Sequence, residues 1–298
     1  MTAKKWGIAA AVLVVGALLF SACAPQAPQT VEVTRIVAGT PQVVIVTATP
    51  ELTPTPTPVP PPEMGTPVDT FVVATIGEPE SLDPAYHYDT ASAEVIFNVY
   101  DPLIFYKREK IDEFVPALAD SWEVSEDGLT YTFHIREGVT FHEGGTLEPH
   151  DVAYAAWRGM LQDRAGGPQW MILEPLLGVG SITDLGEVGD PAVCEQVKEA
   201  VTYDDEAGTV TFHLVEPAGF WLQIVASSWL VPLDMEWMAE NGDWDGDCAT
   251  WGDYHDPAAE DSILFDKANG TGPFKPVSYT HLRAHETRHD LVCRLLLE

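Results

Sequence analysis

The stretch ADSWEVSEDGLTYTFHIREGVTFHEGGTLEPHDV, Ala119 to Val152, decides the fold. Within it Leu129, Tyr131, Phe133 and Ile135 alternate with Thr130, Thr132, His134 and Arg136, the period-two pattern of a strand with one buried face. Upstream, Trp122 and Val124 alternate with Glu123 and Ser125. Between the two runs, Glu126-Asp127-Gly128 supplies a turn whose glycine is free to take positive φ, so the runs form a hairpin. After Gly138, Val139 and Phe141 give a shorter alternation that ends at His142-Glu143-Gly144-Gly145. A helical pattern then opens at Pro149, and Val152, Ala155, Ala156 and Met160 turn one face of it toward a core.

The same alternation of element types extends outward. Phe71-Val72-Val73-Ala74 reads as a buried strand. Asp89 or Thr90 is placed to cap a helix whose apolar face is Val95, Ile96, Val99 and Leu103. Downstream, Val201 and Tyr203, a turn over Asp204 to Gly208, and Val210, Phe212 and Leu214 repeat the hairpin rhythm. Phe220 to Leu233 is apolar and aromatic and reads as buried helix and strand.

The order Ala-Asp-Ser-Trp (119–122), Asp-Gly (127–128), Tyr-Thr-Phe-His-Ile-Arg (131–136), Gly-Val-Thr-Phe-His (138–142) and Asp-Val (151–152) resembles the extracytoplasmic solute-binding proteins of peptide and nickel ABC importers. Two further elements carry the likeness: Glu78-Pro79-Glu80-Ser81-Leu82-Asp83-Pro84, and Gly270-Thr271-Gly272-Pro273-Phe274, read as a tight turn leading into a strand. Glu143 with Gly144-Gly145 stands where the family has Asp-Gly, and Glu148 replaces a threonine ahead of the helix. The resemblance covers Val68 to Pro276. It implies an α/β protein with an incomplete two-lobed periplasmic-binding-protein fold, the N-terminal part of lobe one with its small extra subdomain. Its implied partners are a peptide or related solute and ABC permease subunits in the membrane. By position it implies a main-chain ligand contact at Tyr88, Asp89 and Thr90 and an aromatic contact at Trp170. The residues alone also allow Asp89 as a helix cap and Trp170 as core. No cofactor is implied. A nickel chelate, an opine or an oligosaccharide remains the alternative ligand.

Forty-six acidic residues against 15 basic give a net charge of −31, which excludes nucleic acid as a partner class. Lys4 and Lys5 precede an apolar run from Trp6 to Phe20, shorter than the roughly 20 residues a bilayer span needs. Residues 1–23 therefore read as a signal peptide. Phe20-Ser21-Ala22-Cys23 resembles a bacterial lipobox, which implies Cys23 as the lipidated residue and a stable anchor on the membrane outside the cytoplasm. Residues 24–66 hold little that forms a core, and Thr49 to Pro62 alternates threonine with proline. The segment reads as a disordered tether, reaching roughly 130 Å if stretched at about 3.1 Å per residue. The solute-binding part is expected over 67–276.

After Pro276 the character changes. Val277 to Glu298 resembles the conceptual translation of a sequencing-library adapter and is expected to be non-native. It contains His285-Glu286-Thr287-Arg288-His289, a literal zinc-peptidase motif, but only nine residues follow His289 to supply a third ligand and a cleft, so no enzyme is expected. With Cys23 assigned to lipid and Cys293 in this tail, Cys194 and Cys248 are left to pair in an oxidising compartment or to stay as buried thiols. His134, His142, His150 and His213 show no metal-ligand spacing. Asn241 to Asp247 half-resembles a calcium loop, but Gly252 stands where the closing glutamate belongs, and a solvated acidic turn is expected.

Overall fold

The computed structural model describes residues 30–37, 40–47, 70–73, 75, 77–277 and 293–296, and the chain divides into two units, Met1–Thr66 and Pro67–Glu298. The signal-peptide and Cys23 readings, the Thr/Pro run and the His-Glu-x-x-His motif lie outside the described residues.

In the first unit, β1 (Thr30–Val37) and β2 (Thr40–Thr47) pair antiparallel, with Thr30 opposite Thr47 and Val37 opposite Thr40. The pair lies within the segment 24–66 read as a tether, on its short β-branched runs. The β-branched run from Val31 to Val46 favours extended pairing, although a lone hairpin in water is only marginally stable.

The second unit is organised on a four-stranded antiparallel sheet in the order β6-β7-β9-β8, made of β6 (Ala119–Val124), β7 (Thr130–Ile135), β8 (Val201–Asp204) and β9 (Thr209–His213). Both hairpins fall where the alternation placed them. Gly128 takes φ +71° in the first turn, a conformation that strains any residue with a Cβ. The inward face of β7 is Tyr131, Phe133 and Ile135. It meets Val210 and Phe212 of β9, with the Phe133 and Phe212 rings edge to face at 5.8 Å. Trp221 opens the short helix Trp221–Val225 and extends this aromatic column, 5.4 Å from Phe212. The strand expected after it is not formed: residues 226–234 run on without repetitive structure.

Three helices set up the site. Helix α1 (Thr90–Val99) precedes the sheet. Helix α2 (Pro149–Gln162) packs against it, with only His150 of its residues not fully buried. Helix α3 (Trp170–Leu177) follows. Burial of α2 goes well beyond the single apolar face read from the sequence. Its polar atoms are accordingly bonded across the core, Trp157 Nε1 donating to the Val201 carbonyl (2.8 Å) and the Tyr154 hydroxyl to that of Trp244 (2.5 Å). At its start, where Glu148 departs from the family pattern, the Asp151 carboxylate accepts the Glu148 N–H at 2.9 Å, so the helix is capped from inside.

The Gly270 to Phe274 element docks on the end of α1, and residues 275–277, the described residues directly after it, are not in a strand. The Gly272 N–H donates to the Val99 carbonyl (2.8 Å), that of Phe274 to Asn98 (3.1 Å), and His142 Nε2 bonds the Gly272 carbonyl (2.8 Å). A Cβ on Gly270 would collide with the Val99 carbonyl, which is why glycine stands there. Two more strand pairs complete the unit. Strand β4 (Ile104–Tyr106) pairs with β5 (Phe114–Pro116), and β3 (Thr70–Val73) pairs with β10 (Cys293–Leu296). Strand β10 belongs to the stretch read as foreign. Its apolar Leu295 and Leu296 suit extended pairing with the edge that β3 offers. Cys194 and Cys248 are joined by a disulfide, their Cα atoms 5.4 Å apart.

Candidate functional site

Residues Glu78 to Asp89 form a loop with few repetitive bonds of its own, and one buried side chain holds it in place. Asp83 is fully buried and accepts from Arg158 Nη1 (3.0 Å) and Nη2 (2.8 Å) on α2, from Ser262 Oγ (2.6 Å) and from the Ala85 N–H (2.9 Å). The other side of the same guanidinium binds Asp243, Nε to Oδ1 at 2.8 Å and Nη2 to Oδ2 at 2.9 Å. Burial alone would raise the Asp83 pKa. The Arg158 charge and the hydrogen bonds from Arg158 and Ser262 outweigh it and hold the carboxyl below its ordinary value. Asp243 is 7% exposed, which corrects the reading of Asn241 to Asp247 as a solvated turn: the arginine it neutralises lies inside.

Around this anchor the loop is fixed at three more points. Arg164 Nε donates to the Tyr86 carbonyl (2.9 Å) while its guanidinium lies 4.1 Å over the Tyr86 ring and reaches Glu80 at 3.2 Å. Gln169 Nε2 donates to the Ala85 carbonyl at 3.2 Å. Gln169 lies so close to Gly159 of α2 that a Cβ there would come within 2.7 Å of its Oε1, so the glycine makes room for the loop's anchor. The buried His87 ring stacks on Trp229 at 6.2 Å. Burial pushes its pKa below the ordinary value, only partly offset by the Asp89 backbone and the Asp89 and Asp83 carboxylates.

What the loop presents is short. Tyr88 is 46% exposed, its ring edge-on to Trp229 at 5.9 Å, and Thr90 is exposed beside it. Asp89 caps α1: Oδ1 accepts the Ser92 N–H at 2.8 Å and Oδ2 the Ser92 hydroxyl at 2.5 Å. Burial pushes this carboxyl up, but the two Ser92 bonds and the His87 charge bring it below its ordinary value. Both Asp89 oxygens are thus engaged. The Ala93 N–H is likewise taken, by the Asp89 carbonyl at 3.2 Å, so Asp89 serves the helix start from both side chain and main chain. Trp170 stands elsewhere, 44% exposed at the start of α3, on the rim of an open cavity of about 330 Å³ lined also by Asp163, Arg164, Gly166, Ser181 and His255. None of Tyr88, Asp89 and Thr90 lines that cavity; Tyr86 and Arg164 connect the two places.

Sequence reasoning missed Arg158, Asp243, Gln169 and Trp229. The available signal was Arg158 and Gln162 one turn apart in an otherwise apolar helix, charged and amide groups that need buried partners. Among the described residues no helix is long and apolar enough to cross a membrane, and no candidate metal-binding group contains two histidines.

The chain is 28% identical over 180 residues to the oligopeptide-binding protein AliA of Streptococcus pneumoniae, which covers 56% of this chain and 24% of that protein. It is 31% identical over 179 residues to the dipeptide-binding protein of Escherichia coli, again 56% of this chain and 30% of the relative. A crystal structure of the substrate-binding domain of an oligopeptide ABC transporter from Bacillus anthracis aligns with TM-score 0.48 at 21% identity, over 68% of this chain and 34% of that one. The chain therefore spans only about a quarter to a third of the length of these proteins. The sequence profile described as bacterial extracellular solute-binding proteins, family 5 Middle, matches residues 113–287, more than half of the chain, and the protein belongs to that family of solute-binding proteins.

Proposed function

We propose that this chain is the N-terminal part of the binding component of an ABC importer, which captures peptides outside the membrane and hands them to the permease. The observation that carries the reading is the clamped loop. Asp83, buried on Arg158, anchors the loop that brings Tyr88 and Thr90 to the surface, with the Tyr88 ring against Trp229 and the Asp89 carboxylate engaged as a helix cap, so that recognition there would fall to the main chain. A peptide is recognised along its backbone by such groups, with wide side-chain tolerance. Trp170 offers a flat apolar surface beside an open polar cavity, where an ordered-water layer would accommodate varied side chains. Relatives named for oligopeptide and dipeptide binding support the same reading. Anchoring through a lipid on Cys23 and a tether over 24–66 would keep the binding domain near its permease. The groups that close on the ligand from the far side belong to the part of the relatives' length that this chain does not span.

The test is calorimetry of the full-length gene product against peptide pools, with nickel chelates as the competing ligand class. Heat with peptides, reduced at least tenfold in affinity by Asp83→Asn or Tyr88→Ala, is expected. Absence of heat with every pool overturns the reading.

A further inference from the structure

The first turn of α2 carries a second cluster, remote in role from the loop just described. His150 stands among four carboxylates: Glu148 and Asp151 of its own helix end, Asp205 in the β8–β9 turn, and Glu236 in the first turn of the helix Met235–Glu240, named α4. Asp205 takes two bonds from His150, the backbone N–H at 3.1 Å and ring Nδ1 at 3.2 Å. Since a carboxylate only accepts, Nδ1 is the donor to Asp205, and Nε2 faces the other way, toward Asp151 and Glu236. That Nε2 is buried and has no hydrogen-bond partner. Its near neighbours are Asp151 Oδ1 at 3.7 Å and Glu236 Oε1 at 3.3 Å, themselves acceptors.

With its proton displaced, Nε2 and the two carboxylate oxygens, all within 4.8 Å of one another, are close enough to share one cation. Ligands about 2.0–2.2 Å from a tetrahedral zinc ion stand roughly 3.3–3.5 Å apart, and the two distances from Nε2, 3.7 and 3.3 Å, are close to that. The surroundings fit as well. A ligating histidine typically gives its other ring N–H to a carboxylate, the place Asp205 holds. Asp151, 1% exposed, is fixed by the N–H groups of Glu148 and Met235, both at 2.9 Å, whereas Glu236 is exposed and free to adjust. The four carboxylates outweigh the partial positive charge at the starts of α2 and α4.

We propose that His150 Nε2, Asp151 and Glu236 form a site for one divalent transition-metal ion of the zinc class, with Asp205 as the positioning residue behind the histidine. A bound ion would tie the starts of α2 and α4 together and reach the β8–β9 turn through Asp205. One imidazole and two carboxylates leave a fourth position for water.

The experiment titrates ZnCl2 and CoCl2 into the whole chain carrying His285→Ala and His289→Ala, which removes the tail's own histidine pair. One equivalent should bind, with a visible tetrahedral cobalt spectrum and a rise in melting temperature on zinc. Glu236→Gln, at an exposed position that leaves folding intact, should weaken binding at least tenfold. Asp205→Asn should weaken it 10- to 100-fold. His150→Ala should abolish it. No binding in the tail-altered chain, or binding that His150→Ala and Glu236→Gln leave unchanged, overturns the proposal.

Discussion

The four-stranded sheet and the Glu78–Asp89 loop are both held by buried side chains, but by opposite physics. In the sheet, Phe133, Phe212 and Trp221 are fully buried apolar rings, and their contribution is burial and packing, independent of pH. In the loop, the corresponding role falls to one arginine between two aspartates, all three buried. An apolar contact degrades gradually as atoms are removed. A buried ion pair fails abruptly, because removing one partner leaves the other charged with neither water nor a counter-ion.

Arg158→Ala is therefore expected to have the largest effect, about 3–5 kcal/mol in chemical denaturation. Its pH dependence should invert as well. In the native protein the folded pKa of Asp83 lies below the unfolded value, so its contribution is present above about pH 4 and lost as pH falls toward the folded pKa. Without Arg158, burial, the largest influence on Asp83, is opposed only by the bonds from Ser262 and the Ala85 N–H, and the folded pKa is expected to rise above the unfolded value, so acid would stabilise the variant relative to neutral pH. Denaturation midpoints at pH 7 and pH 5 check this; a variant that loses stability in parallel with the parent would place the anchor elsewhere. Phe133→Ala should cost about 3–4 kcal/mol through transfer and cavity terms, with no change in the pH slope. The pair of variants separates the two mechanisms even where their magnitudes overlap.

The same contrast decides what was legible in the sequence. Alternation at period two gives β6, β7, β8 and β9 because the pleat imposes it locally. Pro149 and the spacing of Val152 to Met160 give α2 for the same reason. The Asp83–Arg158–Asp243 bridge joins positions 75 and 85 residues apart, and no local pattern connects them. An acidic turn at Asn241 to Asp247 therefore reads as solvated when its central carboxylate is inside. Trp170 and Tyr88 are candidates by resemblance alone, and periodicity offers nothing, since both sit at element boundaries. The Gly270 to Phe274 turn was legible as a turn, but its docking on Val99 depends on a backbone approach that residue types do not encode.

A smaller effect tests the surface end of the loop. Asp89→Ala removes the cap of α1 and both Ser92 bonds, at about 1 kcal/mol. If the main chain at Tyr88 to Thr90 binds peptide, affinity should fall by more than the lost stability accounts for, because the freed helix start no longer fixes the donors. Calorimetry of Asp89→Asn, which keeps the cap geometry, should then restore most of the affinity; a loss equal to that of Asp89→Ala would point to the charge instead.

The smallest expected effect lies at His87, where the two kinds of holding meet. The ring is stacked on Trp229 like a core aromatic, yet it titrates. Burial puts its folded pKa below the unfolded value, so stability is complete above about pH 6.5 and declines as pH falls from there toward the folded pKa, because the unfolded chain takes up the proton first. The decline starts above the range where Asp83 responds, and a stability curve between pH 7.5 and 5 resolves it. His87→Asn should flatten that part of the curve and leave the lower, carboxylate part intact. Because Tyr88 shares Trp229 with His87, protonation that loosens the stack should also free the Tyr88 ring. Peptide affinity should then weaken over the same pH interval in the parent and not in His87→Asn. An affinity that stays level while stability falls would show that the loop's anchor and its exposed end are mechanically independent.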